Sequence, residues 1–349
     1  SSPRRVPMPR GMLTGWRNLP TSSKSAASGR PGHSFVALTR ASAGDCAMTA
    51  DTTTYPVVLA TDENYAAPCG VVMESLLQNT DAPSKFAFFI FGSDLSVEMQ
   101  EKLRSVADCH GATIDVRTPN MERLNNLPLR EGFSADAYNK LYAPNELQEF
   151  EKVLYLDCDV LVERDVRSLF ATDLGDHLAA AVPNGPAPFI AEFNKKHGFP
   201  SDAPVFNTGV LLVDPERWAR ERVAERVAEW IANNSDQLIY RDQDGINVVL
   251  NGAIKSLSPQ WNMEARHYRE WWMGISEWWP QEAEGRDLIV HYTGARKPWR
   301  QWVYVPRLRA YHSCLDRTPF SSQKSMSQSP LSSKIRRLVG WGQLLLEAG

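Results

Sequence analysis

The stretch Lys152-Val-Leu-Tyr-Leu-Asp-Cys-Asp-Val-Leu-Val162 decides the fold. Val153–Leu156 is an uninterrupted apolar run, too short for an ordinary helix and rich enough in branched and aromatic residues to form a strand buried on both faces. It ends abruptly in Asp157-Cys158-Asp159, and apolar character resumes at once in Val160-Leu161-Val162. Exposed turns seldom sit between two apolar runs. Two carboxylates two residues apart, just past a strand end, can project to one side and form a hard-oxygen site for Mn²⁺ or Mg²⁺. A polar turn capping the strand is the competing reading of the same residues.

Working outward toward the N-terminus, the same alternation recurs. Tyr55–Ala60 and Phe86–Phe91 are short apolar runs, and Ala112–Val116 reads as a third strand. Between them lie a helix bearing Val71, Val72, Ser75 and Leu76 on one face and an amphipathic helix over 96–107. Buried strands alternating with helices predict a mainly parallel sheet covered on both faces, a Rossmann-like α/β fold. Ligands of such sheets bind beyond the carboxyl ends of the strands. Both Asp62-Glu-Asn64 and Asp157-Cys-Asp159 fall there. Downstream, Val205–Val213 is another strand, and Pro215 opens a helix with an apolar stripe of Trp218, Val223, Val227, Trp230 and Ile231. The strand Leu288-Ile-Val290 then enters His291. No GxGxxG or GxxxxGK[ST] loop occurs, which removes most of the case for a dinucleotide oxidoreductase or a P-loop NTPase.

Charge and cysteine usage narrow the function further. The 349 residues carry 38 Lys/Arg and 41 Asp/Glu. Seven basic residues and one acid fall in 1–47, and eight basic residues and two acids in 300–349, leaving 23 basic and 38 acidic residues in between. So acidic a body repels phosphodiester backbones, which argues against nucleic acid as a partner. It also makes any phosphate ligand depend on a cation or a local basic group. The five cysteines are scattered with no CxxC pair, the pattern of a reducing, cytoplasmic setting rather than of a disulfide framework. In His291-Tyr-Thr-Gly-Ala-Arg-Lys-Pro-Trp299, the imidazole could complete a Mn²⁺ site, Gly294 would let backbone approach phosphate, and Lys297 would neutralise it. A structural, hydrogen-bonded histidine is the alternative for His291.

These two segments, with Ala60-Thr-Asp-Glu-Asn-Tyr65 and Phe206-Asn-Thr-Gly209, resemble the retaining glycosyltransferases of family 8, and among them the bacterial lipopolysaccharide galactosyl- and glucosyltransferases. The resemblance runs from about Val57 to Trp299 with the motifs in family order. It implies a GT-A type fold, a UDP-hexose donor and a saccharide or glycolipid acceptor. It further implies Asp157, Asp159 and His291 as Mn²⁺ (or Mg²⁺) ligands, and Ala60, Asp62 and Asn64 as the uridine loop with Tyr65 beside the base. Gly294 and Lys297 match the pyrophosphate contacts, and Asn207, Asp242 and Gln243 match positions around the donor sugar. The family's donor-sugar arginine falls at Lys140, which keeps the charge but loses the bidentate fork. A donor-sugar carboxylate of close relatives falls near Pro183-Asn184, where Asn184 could accept a hydroxyl hydrogen bond. Gln243 occupies the position facing the anomeric carbon; because a neutral amide is a poor nucleophile, same-face attack by the acceptor hydroxyl is the expected route, with Asp242 orienting donor hydroxyls.

Outside the matched span, residues 1–47 are Ser-, Arg-, Pro- and Gly-rich without apolar periodicity and are expected to be disordered. They are either transit-peptide-like or upstream of a natural start at Met48. The expected catalytic domain is 48–305, followed by a basic tail over 306–349. Within that tail, Lys334–Leu346 sets a basic cluster beside Trp341 and three leucines, a composition suited to peripheral contact with an anionic inner membrane face; an ordinary C-terminal helix is the alternative. The aromatic group Tyr268, Trp271, Trp272, Trp278 and Trp279 suits sugar stacking at the acceptor side and equally an aromatic mini-core. Two further functions compete with transfer: a nucleotide-sugar-binding module without turnover, and a haloacid-dehalogenase-type phosphatase. The phosphatase normally carries its Asp-x-Asp in the first strand, whereas three strands precede Asp157 here.

Overall fold

The computed structural model describes residues 53–120, 122, 127, 135–185, 188–272, 288–300, 303 and 305–323. Ten strands are present among them: β1 Tyr55–Ala60, β2 Phe86–Phe91, β3 Thr113–Arg117, β4 Val153–Leu156, β5 Val160–Val162, β6 Ala179–Pro183, β7 Phe206–Val213, β8 Ile254–Ser256, β9 Met263–Glu264 and β10 Ile289–His291. Seven form one sheet in the order β3-β2-β1-β4-β7-β6-β8. The β3-β2-β1-β4 half is parallel, as expected from its alternation with helices. Strand β7 enters antiparallel between β4 and β6, and β8 restores a parallel edge.

The apolar runs are continuous because both faces of this sheet are covered. Leu59, Phe88, Ile90, Leu154, Leu156, Val210 and Leu212 point into one core. Their neighbours Val58, Phe89, Val153, Tyr155, Leu211 and Val213 point into the other. The helix Ala66–Gln78 is buried on almost every side, more completely than a one-faced stripe predicts. It is wedged between β5, the helix Val97–Asp108 and the helix Leu308–Arg317. The second helix starts where the sequence indicates, with the Ser96 hydroxyl accepting from the Met99 amide at 3.3 Å.

Two local findings depart from the periodicity. The stripe beginning at Pro215 is divided into Pro215–Arg220 and Val223–Asn233, because Arg222 adopts a left-handed backbone (φ 53°) that ends one helix and starts the other. Trp218 of the first piece is fully buried, and its indole N–H donates to the Leu141 carbonyl at 2.9 Å, fixing the short helix Asn139–Tyr142 that carries Lys140. Secondly, the packed body continues beyond residue 305. The helix Leu308–Arg317 places Tyr311, Cys314 and Leu315 in the core, followed by Phe320, while Arg307 pairs with Glu163 at 2.6 Å. Basic residues dominate that segment's composition, but they flank an apolar stripe at helical spacing.

A smaller sheet, β5-β10-β9, positions His291. β10 runs antiparallel to β5, so that His291 faces Val160, and parallel to β9, so that His291 faces Glu264. Strand pairing thus delivers a histidine from the far end of the chain to the doorstep of Asp157-Cys-Asp159. Residues 1–47 and the tail 334–346 lie outside the described residues. Among the described residues no helix is long and apolar enough to cross a membrane.

Candidate active site

The carboxyl ends of β1 and β4 lie side by side because the strands pair in parallel, with Leu59 opposite Leu156. The Cys158 thiol donates to the Ala60 carbonyl at 3.1 Å, joining the two loops that follow. Cys158 is buried, and a hydrogen bond with Cys69, reinforced by burial, pushes its thiol well above the ordinary range. It is a tether rather than a thiolate nucleophile. After β4 the backbone is clamped: the Asp157 amide donates to the Gly209 carbonyl at 2.8 Å, and the Tyr292 amide to the Asp159 carbonyl at 2.9 Å.

Around these clamps Asp157, Asp159 and His291 converge, each offering one ligand atom within 4.8 Å of the others. His291 Nε2 lies 3.0 Å from Asp159 Oδ1 and 3.6 Å from Asp157 Oδ2. Two carboxylate oxygens and one imidazole nitrogen are a donor set suited to Mn²⁺ or Mg²⁺. Each carboxylate also has a buried cation beside it. The Lys297 ammonium contacts Asp159 Oδ2 and donates to the Tyr292 carbonyl at 2.6 Å. Lys140 Nζ lies 3.1 Å from Asp157 Oδ1 and 2.8 Å from Asp242 Oδ2.

The electrostatics follow from this crowding. Burial alone would lower the Lys140 pKa, but the carboxylates of Asp157 and Asp242 reverse it and hold the ammonium above the usual lysine range. Burial likewise opposes the charged forms of Asp159 and His291. Their mutual attraction, with Lys297 acting on Asp159, wins, so the aspartate is lowered and the histidine raised. Burial, with the Asp157 charge second, pushes the Tyr155 phenol well up, keeping it protonated to donate to Asp157 Oδ1 at 2.8 Å.

The remaining residues singled out in the sequence divide into two groups. Asp62, Asn64 and Tyr65 form the rim: Asp62 Oδ1 accepts from the Asn64 and Tyr65 amides at 2.9 Å each, and the Tyr65 ring meets Trp299 edge-on at 5.5 Å. Gly294 turns the loop after β10 with φ 74°, a conformation that glycine adopts freely. That loop is anchored where the Thr293 hydroxyl donates to Glu264 Oε2 at 3.1 Å. Burial would raise the Glu264 pKa, but the hydrogen bond with His267 and the Arg266 charge bring it down to about 2, keeping it ionised.

The other group lies deeper. Asp242 and Gln243 open the helix Asp242–Val249, immediately after Arg241 in a left-handed φ of 56°. That helix is fixed to β7 by Asn247, whose side chain accepts from the Phe206 amide at 2.6 Å and donates to its carbonyl at 2.9 Å. Gln243 Oε1 then accepts from the Thr208 amide at 3.4 Å. Lys140 bridges Asp157 to Asp242, which joins the Asp-Cys-Asp turn to the Asp242-Gln243 pair. Asn184 spends its side-chain amide on the Val205 carbonyl at 2.9 Å. Asn207 turns its oxygen inward, accepting from the Gly209 amide at 2.9 Å.

Three residues that the sequence did not single out prove structurally central. Tyr155 and Thr208 sit under Asp157 and Asp242. The Asn262 side-chain oxygen lies 2.9 Å from His291 Nδ1. Tyr155 carried a signal, an aromatic with a hydroxyl two residues before an acid in a two-faced strand. Asn262, in the unremarkable segment Pro259-Gln-Trp-Asn262, carried none. Of the aromatic group, Tyr268 packs half-buried against the core. The side chains of Trp271 and Trp272, and Trp278 and Trp279 altogether, lie outside the described residues.

Comparison with known proteins agrees with this architecture. The chain is 26% identical over 270 residues to a lipopolysaccharide 1,2-glucosyltransferase of Escherichia coli, covering 76% of this chain and 78% of the relative. It is 22% identical over 280 residues to a lipopolysaccharide 1,3-galactosyltransferase of Salmonella typhimurium, covering 79% and 82%. Among solved structures, the galactosyltransferase LgtC in complex with donor and acceptor sugar analogs superposes with a TM-score of 0.64 at 25% identity, covering 76% of this chain and 96% of that one. The mixed sheet and its flanking helices are those of the GT-A glycosyltransferases. The model for "Glycosyl transferase family 8" matches residues 56–303. That span takes in every cluster residue described above, and the chain belongs to glycosyl transferase family 8.

Proposed function

We propose that the protein transfers galactose or glucose from a UDP-sugar to a saccharide or glycolipid acceptor of the lipopolysaccharide type, with retention at the anomeric carbon and dependence on Mn²⁺ or Mg²⁺. The observation that carries this reading is the convergence of Asp157, Asp159 and His291 within 4.8 Å at the carboxyl ends of the paired strands, in a chain of this family. The related lipopolysaccharide glucosyl- and galactosyltransferases supply the hexose and the acceptor class.

In this reading Ala60, Asp62 and Asn64 take the uridine, with Tyr65 against the base. Asp157, Asp159 and His291 hold the cation, which when bound neutralises the leaving diphosphate as a Lewis acid. Lys297 has two N–H donors committed to Asp159 and the Tyr292 carbonyl, and its third serves a diphosphate oxygen approaching over Gly294. Asn184 and Asn207 line the donor-sugar side. Lys140 acts from below, fixing Asp157 and Asp242 against each other. Asp242 orients donor hydroxyls. Gln243, held by the Thr208 amide, positions the acceptor hydroxyl for attack on the face the diphosphate leaves, since its amide is no nucleophile. The catalytic unit works in the cytoplasm, and the basic tail at 334–346 brings it to the inner membrane face where a glycolipid acceptor resides.

Release of free UDP from UDP-galactose and from UDP-glucose, each with Mn²⁺ or EDTA, tests the proposal without an acceptor. The expected result is release from one donor with Mn²⁺, falling by on the order of 10²–10³-fold in EDTA, as several kcal/mol of lost charge stabilisation implies. Equal release in EDTA contradicts metal dependence. Binding of both donors with no release, even with a lipopolysaccharide acceptor mixture present, points to a binding module instead.

A further inference from the structure

A chain of amides behind His291 leads from a backbone N–H to the imidazole. The Gly209 amide donates to the side-chain oxygen of Asn207 at 2.9 Å. A backbone amide can only donate, so that atom of Asn207 is its oxygen and not its nitrogen. The same oxygen lies 2.8 Å from the side chain of Asn262, so the atom of Asn262 facing it is the NH₂ group. The oxygen of Asn262 is thereby turned toward His291 Nδ1, 2.9 Å away. An amide oxygen can only accept, so Nδ1 carries a hydrogen. Each donor or acceptor assignment follows from the one before it, and the series starts at a group with a single option. All three side chains are buried, at 7% exposure for Asn207, 2% for Asn262 and 3% for His291, so water offers little alternative partner.

We propose that Asn262 is a positioning residue: through Asn207 and the Gly209 amide it holds a hydrogen on His291 Nδ1 and fixes the ring, so that Nε2, 3.0 Å from Asp159 Oδ1, is the nitrogen turned toward Asp157 and Asp159 for a cation to take. The inference rests on the proposed cation site for its consequence, but not for its content, which concerns a protein-internal relay. Without the relay the ring loses the partner that fixes its orientation and can turn Nε2 away from Asp157 and Asp159. Outer partners of this kind typically contribute 10–100-fold to metal affinity. Asn207 then has a second duty besides lining the donor side: its oxygen is spent inward on Gly209 and Asn262.

The test compares Asn262→Leu, which keeps the branched shape and deletes both polar contacts, with Asn262→Asp, which keeps an oxygen acceptor for Nδ1. Mn²⁺ affinity of metal-stripped protein is read by electron paramagnetic resonance, with folding checked by circular dichroism. The expected result is a 10–100-fold weaker Mn²⁺ affinity in Asn262→Leu and a smaller loss in Asn262→Asp, which keeps the acceptor for Nδ1 but not the donor to Asn207. Wild-type affinity in folded Asn262→Leu overturns the proposal, since packing alone would then suffice. A second measurement needs neither metal nor variant: ¹⁵N shifts of the His291 ring in metal-free wild type at alkaline pH. They should show hydrogen on Nδ1, the nitrogen facing Asn262; a bare Nδ1 overturns the relay. If wild type shows the Nδ1–H tautomer yet binds no Mn²⁺, the relay stands and the metal-site reading fails.

Discussion

Replacing Asp159 by alanine is expected to lower Mn²⁺-dependent turnover of the UDP-sugar by on the order of 10³-fold or more, the rate equivalent of several kcal/mol of electrostatic stabilisation. The side chain is the meeting point of the cluster: His291 lies 3.0 Å from one oxygen and the Lys297 ammonium contacts the other. Its removal deletes the proposed hard-oxygen ligand and takes away the carboxylate that separates His291 from the Lys297 ammonium. The fold is expected to survive. The Asp159 carbonyl still accepts from the Tyr292 amide, so the pairing of β10 with β5 does not depend on the carboxylate. Asp159→Asn separates charge from shape and is expected to lose activity to a similar degree. His291→Ala should follow for loss of the proposed nitrogen ligand. Wild-type-like turnover in Asp159→Ala and His291→Ala alike would sink the ligand assignment.

Gly209→Ala is the second large effect, and it arises from space rather than charge. A Cβ at this position would lie 2.1 Å from His291 Cε1, 2.7 Å from His291 Nδ1 and 2.7 Å from Asp157 Oδ2. None of the three can retreat easily. The Asp157 amide is tied to the Gly209 carbonyl itself, and His291 is held by strand pairing and by Asn262. One added methyl must therefore push two of the three cluster residues apart. The expected outcome is a loss of on the order of 10²-fold in activity, since displacement by about 1 Å at a reacting centre has that effect. A stability decrease of about 1–3 kcal/mol should accompany it, as for other overpacked cores. Measured turnover and thermal midpoint both at wild-type values would show that the cluster tolerates rearrangement.

The strands around the site were legible because β4 and β7 are buried on both faces and so read as unbroken apolar runs. Asp157 and Asp159 were legible for the complementary reason, as carboxylates lodged between two such runs. Local patterning has less to say about partners distant in sequence. That His291 stands opposite Val160 follows from β10 inserting between β5 and β9, strands of three and two residues with too few positions to show a period. Lys140 illustrates the same limit. Its charge was visible, but its burial between Asp157 and Asp242 depends on Trp218 holding the Leu141 carbonyl. Asn262 was invisible because an amide acting through another amide leaves no periodicity, charge or spacing to read. The split of the helix at Arg222 was equally hidden, a left-handed residue where no glycine announces one.

The central claim is that Asp157, Asp159 and His291 bind the nucleoside diphosphate through a divalent cation. Calorimetric titration of UDP into metal-stripped protein, in the presence and absence of Mn²⁺, tests it most directly, because an acidic cluster beside a diphosphate is repulsive unless a cation intervenes. The expected result is saturable UDP binding with Mn²⁺ and none, or binding weaker by at least about 100-fold, in EDTA. UDP binding of equal strength with and without Mn²⁺ would mean that Lys297 and the loop at Gly294 carry the diphosphate alone, and the cation-centred reading would be wrong.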